Sequence, residues 1–247
     1  MPLDPPMIAA IVATLVAGLV RGFSGFGGAL IFVPLAAAAV GPPIAAACLL
    51  VMDLVLTLPM VWNAVRICRW NTLLPVAIGA VVTIPFGAAI LAHADPLVLR
   101  WGLAVLVMAL LALLVSGMRY SGEPRRLASL GVGGVAGIFS GIGQVGGPPV
   151  IAFWVAGPHP PPIIRANLIM FFCIASASSS VAYAWNGFFT EEMLSALIVF
   201  APAYAVALFI GTRLFGRAPE RYYRRIAYVV IAIAAITSLP ALDGILR

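Results

Sequence analysis

The stretch RGFSGFGG at residues 21–28 interrupts an apolar run near the start of the chain, and the related stretch GIFSGIGQVGG occupies residues 137–147. Both contain the core Phe-Ser-Gly, follow a short apolar run and precede another. Glycine weakens a helix because its backbone has more conformational freedom to lose. The sequence therefore predicts the same backbone break twice in one chain.

Apolar segments surround both breaks in the same order. Two short runs flank each break, and both are shorter than the ~20 residues that a membrane-spanning helix needs. Three longer runs follow in each half. The first half contains residues 7–20, 29–40, 44–65, 73–92 and 96–115, and the second half contains residues 127–139, 145–157, 163–183, 193–214 and 226–242.

The composition places the chain in a lipid bilayer. Hydrophobic residues make up 63% of the 247 residues and charged residues only 9%, whereas soluble domains carry about 25% charged residues. Such a chain lacks the polar side chains needed to cover a water-facing surface. We therefore predict an all-α, multi-pass integral protein of the inner (cytoplasmic) membrane.

Further matches indicate an internal repeat. Trp62-Asn63 and Trp185-Asn186 each close a long apolar segment, and Gly87 and Gly211 follow in the same order. We predict a first repeat over residues 1–117, a cytoplasmic linker over residues 118–127 and a second repeat over residues 128–247. Together they form one membrane domain.

The arginines predict the orientation of the repeats. All 14 basic residues are Arg, and most lie in loops next to apolar segments, as cytoplasmic loops of membrane proteins do. With these loops on one side, the three long spans of each half give the halves opposite orientations, so they are inverted repeats, as in secondary transporters. Each repeat combines a short broken or re-entrant helix pair with three long transmembrane helices. No basic cluster lies away from the membrane, so nucleic acid is not a predicted partner.

The breaks are the predicted substrate site. A helix is expected to begin near Gly27-Gly28 and near Gly146-Gly147, where its free N–H groups and positive dipole end attract an anion. In an inverted repeat the two breaks are expected to face each other near the midplane. The candidate substrate-binding residues are Arg21, Ser24, Gly25, Gly27, Gly28, Ser140, Gly141, Gln144, Gly146, Gly147 and Asn167.

Several of these residues have alternative interpretations. The glycines before each break form small-xxx-small patterns, which are typical of helix contacts. Arg21 either binds the anion or extends to the surface. Asp53 either carries a coupling proton or forms a structural ion pair with Arg21. Ser176 occupies the position of Asp53 in the second repeat, and its neighbouring serines are typical of helix contacts.

Other classes of function have weaker support. The three cysteines form no metal-binding or redox pair, and no nucleotide-binding or metal-ligand motif is present, so no cofactor or metal is predicted. Ser24 with His93 or His159 is an alternative as an intramembrane serine protease, although the Phe-Ser-Gly core is duplicated while the histidines are not. A channel and a membrane scaffold or assembly protein are further alternatives.

The two Phe-Ser-Gly stretches, together with Gly87 and Gly211, resemble the TauE/SafE family of sulfite exporters. The resemblance covers nearly the whole chain. It implies a non-enzymatic transporter of sulfite, organosulfonates or related sulfur-containing anions, linked to protons. Composition and spacing alone indicate a small anion and leave the oligomeric state open. The second stretch departs from the compact glycine run of the family at Gln144, Pro148 and Pro149.

Overall fold

A computed structural model describes residues 5–24, 26–117, 125–157, 159–214 and 220–242. The side chains of residues 5, 23, 24, 214, 220–227 and 242 lie outside this description. Every regular element in the described part of the chain is helical. The helices are α1 (Pro5–Ser24), α2 (Gly28–Val40), α3 (Pro42–Ile67), α4 (Trp70–His93), α5 (Pro96–Ser116), α6 (Arg126–Gly143), α7 (Gly147–Val155), α8 (Pro161–Trp185), α9 (Glu191–Leu214), α10 (Glu220–Thr237) and a 3-10 turn (Pro240–Leu242).

Six helices are long and apolar enough to cross a membrane: α3, α4, α5, α6, α8 and α9. Large apolar side chains such as Phe86, Val181 and Ile198 are exposed on them. A bilayer is the solvent that accommodates such surfaces. The predicted all-α membrane fold is confirmed.

The breaks lie slightly later in the chain than the Phe-Ser-Gly cores. The first core falls in the last turn of α1, and the second lies inside α6, which continues to Gly143. The run at residues 127–139 was predicted to be too short to span, but α6 has 18 residues. The helix continues through its glycines, of which Gly133, Gly137 and Gly141 pack against the backbone of α4.

Contacts divide the chain into two compact units, and each combines segments from both halves of the sequence. One unit contains Met1–Met52, His93–Leu111 and Phe188–Arg247. The other contains Asp53–Ala92 and Ala112–Gly187. The first break therefore belongs to the first unit and the second break to the second. The inverted orientation of the sequence repeats stays a prediction.

In the first unit, α1 packs closely along α9. A Cβ added to Gly18 would lie 2.7 Å from the backbone oxygen of Tyr204, and a Cβ added to Gly22 would overlap the backbone oxygen of Leu208. On the other helix, Gly211 of α9 packs against the backbone of Leu19. Because the residue numbers rise together along the contact, the two helices run parallel.

The second unit repeats this arrangement with α6 and α4. Gly133 and Gly137 lie against the backbone of α4, and Gly79 and Gly87 lie against the backbone of α6. These contacts also run in parallel order. The Thr83 hydroxyl donates a hydrogen bond of 2.7 Å across the interface to the Gly134 oxygen. The predicted packing role of the small-xxx-small glycines is confirmed in both units.

Substitution of Gly133 by Ala is expected to destabilise the protein. The added methyl group would overlap the backbone of Val76, and such overpacking costs about 1–3 kcal/mol. The measurement is the unfolding midpoint of the purified protein in detergent.

Gly131→Ala is the matched control, two residues earlier on the same helix. No atom lies within 4 Å of the added methyl group there. Alanine is favoured over glycine in a helix by about 0.5–1 kcal/mol, so this variant should be at least as stable as the wild type. Equal stability of the two variants would contradict close α4–α6 packing.

Candidate functional site

The first break separates α1 from α2. α1 ends at Ser24, and Gly27 adopts a left-handed backbone conformation with φ 90°. α2 then begins at Gly28, and the Leu30 N–H donates a hydrogen bond of 3.1 Å to the Gly27 oxygen. The prediction of a helix start at Gly27-Gly28 is confirmed. The Ser24 side chain and Gly25 lie outside the described residues.

A cationic and a phenolic residue lie beside the start of α2. A Cβ added to Gly28 would lie 3.1 Å from the Arg21 Cβ and 3.1 Å from the Tyr204 hydroxyl oxygen. Arg21 is only 9% exposed and Tyr204 is fully buried, so the arginine side chain is held inside the protein. The sequence prediction included Arg21 but missed Tyr204, which belongs to α9 in the other half of the sequence.

The second break separates α6 from α7 in the second unit. Gln144 ends α6 in a left-handed conformation with φ 58°, and α7 begins at Gly147. Gly146 lies directly against the Ser140 hydroxyl and the Ala136 oxygen, so a side chain at this position would overlap them. The predicted helix start at Gly146-Gly147 is confirmed.

Tyr183 of α8 holds the end of α6 in place. Its hydroxyl donates a hydrogen bond of 2.9 Å to the Gly141 oxygen. The Gln144 side-chain amide donates to the Ser140 oxygen at 3.0 Å and to the Tyr183 hydroxyl oxygen at 3.2 Å. The last carbonyls of a helix have no partner within the helix, and Tyr183 and Gln144 supply partners here. The sequence prediction missed Tyr183, although a tyrosine inside an apolar helix signals a buried hydrogen bond.

The start of α7 has few backbone N–H donors, and those of Gly146 and Gly147 lack an acceptor among the described residues. Pro148 and Pro149 follow Gly147 and carry no N–H. Gly146 and Gly147 are buried, and their N–H groups have no acceptor among the described residues. These two donors lie at the N-terminus of α7, which is the positive end of its dipole and a place where an anion is favoured.

Two further candidates lie elsewhere in the second unit. The Asn167 oxygen accepts a 2.8 Å hydrogen bond from the Arg69 N–H, and its amide nitrogen donates to the Thr72 hydroxyl at 3.1 Å. Asn167 thus fixes the turn between α3 and α4. Asp53 is partly exposed on α3, and its backbone oxygen accepts a hydrogen bond from Thr57.

The two histidines of the protease alternative lie at a helix end and in a connection between helices. His93 is exposed at the end of α4, whereas His159 is buried in the connection between α7 and α8. The three cysteines are free thiols. Within the described ranges, no group of three or more His, Cys, Asp or Glu residues could hold a metal ion.

We expect Tyr183→Phe to lower the free energy of unfolding by about 1–3 kcal/mol, because the buried Gly141 carbonyl loses its hydrogen bond from the Tyr183 hydroxyl and the Gln144 amide loses one of its two acceptors. Thermal unfolding in detergent measures the change. Ser195→Ala removes an exposed hydroxyl that bonds its own helix and should change stability by less than about 0.5 kcal/mol. Equal stability of Tyr183→Phe and the wild type would argue against this network.

Known proteins similar to the chain share its predicted class. The pattern of the family described as "Sulfite exporter TauE/SafE" matches residues 10–238. A protein of Cupriavidus necator named "Probable sulfite/organosulfonate exporter TauE" is 28% identical over 185 residues, covering 71% of this chain and 70% of the relative. No solved structure matches the chain.

The family match and the six spanning helices confirm three predictions: a transporter, a non-enzymatic role and a multi-pass protein of the inner membrane. Both Phe-Ser-Gly stretches fall within the matched residues. The chain belongs to the TauE/SafE family of sulfite exporters.

Proposed function

We propose that the chain carries sulfite or an organosulfonate across the cytoplasmic membrane, and that the helix N-termini at Gly28 and at Gly147 each provide an anion-binding site within their own unit. The substrate class is supported by the family and by the name of the curated relative. The observation that carries the proposed site is the burial of Arg21 beside the start of α2.

Electrostatics favour an anion at the first break. The N-terminus of α2 carries roughly half a positive charge, which comes from its dipole and its unbonded N–H groups. Arg21 adds a full positive charge from the last turn of α1. Two positive groups close together attract an anion more strongly than either does alone. An oxyanion beside Gly28 would accept hydrogen bonds from the backbone N–H groups at the start of α2.

Glycine has a specific role at both helix starts. A side chain at Gly28 would crowd the Arg21 and Tyr204 side chains, and one at Gly147 would lie 3.0 Å from the Phe172 ring. Without side chains, the N–H groups can approach a ligand directly. We assign backbone donation to Gly25, Gly27, Gly28, Gly146 and Gly147.

The remaining candidates shape the two helix starts. Ser24 is proposed as a hydroxyl donor at the first break. Ser140, Gly141 and Gln144 are proposed to hold the second break open, since their hydrogen bonds fix the end of α6. Asn167 is proposed as a residue near the substrate route, with its amide bonded to the α3–α4 turn.

We further propose that transport is linked to protons through Asp53. This carboxylate lies in the interior of α3, one of the six helices able to span the membrane. Ionisable residues within such helices are costly and commonly serve transport. Ser176 occupies the matching place in the second repeat, so the carboxylate has no duplicate there.

Currents on a solid-supported membrane test the proposed function. Liposomes containing the protein are challenged with sulfite, sulfoacetate, an aromatic sulfonate, sulfate and chloride, with and without a pH gradient. We expect a current for at least one sulfur anion with the wild type and none with Arg21→Ala, because that variant lacks the buried positive charge.

Arg125→Ala is the control, since it removes an exposed arginine outside the helices and should transport normally. Wild-type flux through correctly inserted Arg21→Ala would remove Arg21 from the site. The absence of current with every anion, in intact liposomes containing the wild type, would contradict the proposed function.

Asp53→Asn is expected to slow transport and to abolish its dependence on the pH gradient, because the amide cannot carry a proton. Initial rates are compared at equal anion gradients over a range of external pH. A pH dependence identical to that of the wild type would reduce Asp53 to a structural role.

A further inference from the structure

A buried hydroxyl on α8 lacks a hydrogen-bond partner. Ser179 is fully buried, and its oxygen makes no hydrogen bond within the described residues. Buried polar groups in folded proteins are nearly always bonded, and exceptions call for an explanation. An unpaired hydroxyl in a lipid-surrounded helix is especially costly because water cannot replace the partner.

The position of Ser179 on α8 relates it to the second break. Phe172, Ser176, Ser179 and Tyr183 follow one another at spacings of four, three and four residues, so they share one face of the helix. The two ends of this face contact the break. The Phe172 ring lies 3.0 Å from the place that a Cβ of Gly147 would take, and the Tyr183 hydroxyl bonds the Gly141 oxygen.

Both ends of this face contact residues of the break, and Ser179 lies between those two ends. The break itself presents the buried N–H groups of Gly146 and Gly147, which also have no acceptor in the described part of the chain. The buried face of α8 that carries Ser179 therefore packs on the segment that carries these two N–H groups. A ligand bound by all three donors would carry several acceptor oxygens.

We propose that Ser179 donates a hydrogen bond to the substrate oxyanion, beside the N–H groups of Gly146 and Gly147, and thereby forms part of the binding site. The inference rests on the proposed function and adds a residue that the Phe-Ser-Gly stretches do not contain. A sulfite or sulfonate group supplies three oxygens for these donors. Ser176, buried on the same face, is the adjacent hydroxyl.

Ser179→Ala tests this assignment against Ser178→Ala as a matched control. Ser178 lies about 100° around the helix from Ser179, away from the shared face. Purified variants are titrated with sulfite and sulfoacetate, and anion affinity is measured by the shift in Tm. The Tm without anion is measured in parallel.

We expect Ser179→Ala to weaken anion affinity roughly tenfold or more, since a hydrogen bond to a charged group is lost. Its Tm without anion should equal or exceed that of the wild type, because the substitution removes an unsatisfied buried hydroxyl. Ser178→Ala should match the wild type in affinity.

Wild-type affinity in Ser179→Ala would overturn the inference while leaving the proposed function standing. A lowered Tm without anion, accompanied by weaker binding, would also overturn it, because that pattern marks a structural hydroxyl. A wild-type protein that responds to neither anion would remove both this inference and the proposed sulfur-anion substrate.

Discussion

The structure depends on one constraint: a helix broken inside a membrane must find partners for the backbone groups that the break exposes. At the end of α6 the partners are Tyr183 and Gln144, which bond the Ser140 and Gly141 carbonyls. At the start of α7, two prolines remove the N–H groups that would otherwise need partners. The donors that remain, on Gly146 and Gly147, are therefore few and buried, and they have no acceptor among the described residues.

Close helix packing holds each break in position. α1 runs parallel to α9 and α6 runs parallel to α4, and in both pairs glycine allows backbone to approach backbone. The same pairing in both units, made between one half of the sequence and the other, fits a duplicated plan. Because α9 packs on α1 and α4 packs on α6, each break adjoins a long helix. A displacement of α4 or α9 would therefore also move the break beside it.

The two breaks share a plan but differ in chemistry. The first has Arg21 and the Tyr204 hydroxyl beside Gly28, so a positive charge is the feature with which we propose that it attracts an anion. The second has the Phe172 ring beside Gly147, and the donors that we propose there are neutral, from the backbone and from Ser179. A transporter must release what it binds, and neutral donors hold an oxyanion less firmly than an arginine does.

The sequence by itself determined the membrane environment, the ten helical segments and the two helix starts, because hydrophobic run length and glycine placement act locally along the chain. Arg21 was also evident, since a lone charge beside an apolar run is conspicuous. Tyr204 and Tyr183 were not identified, Ser179 was assigned with its neighbouring serines to helix contacts, and the ends of α1 and α6 were placed too early. Only the tertiary structure decided these features, because helices distant in sequence supply the contacts that satisfy, extend or leave unpaired the backbone at each break.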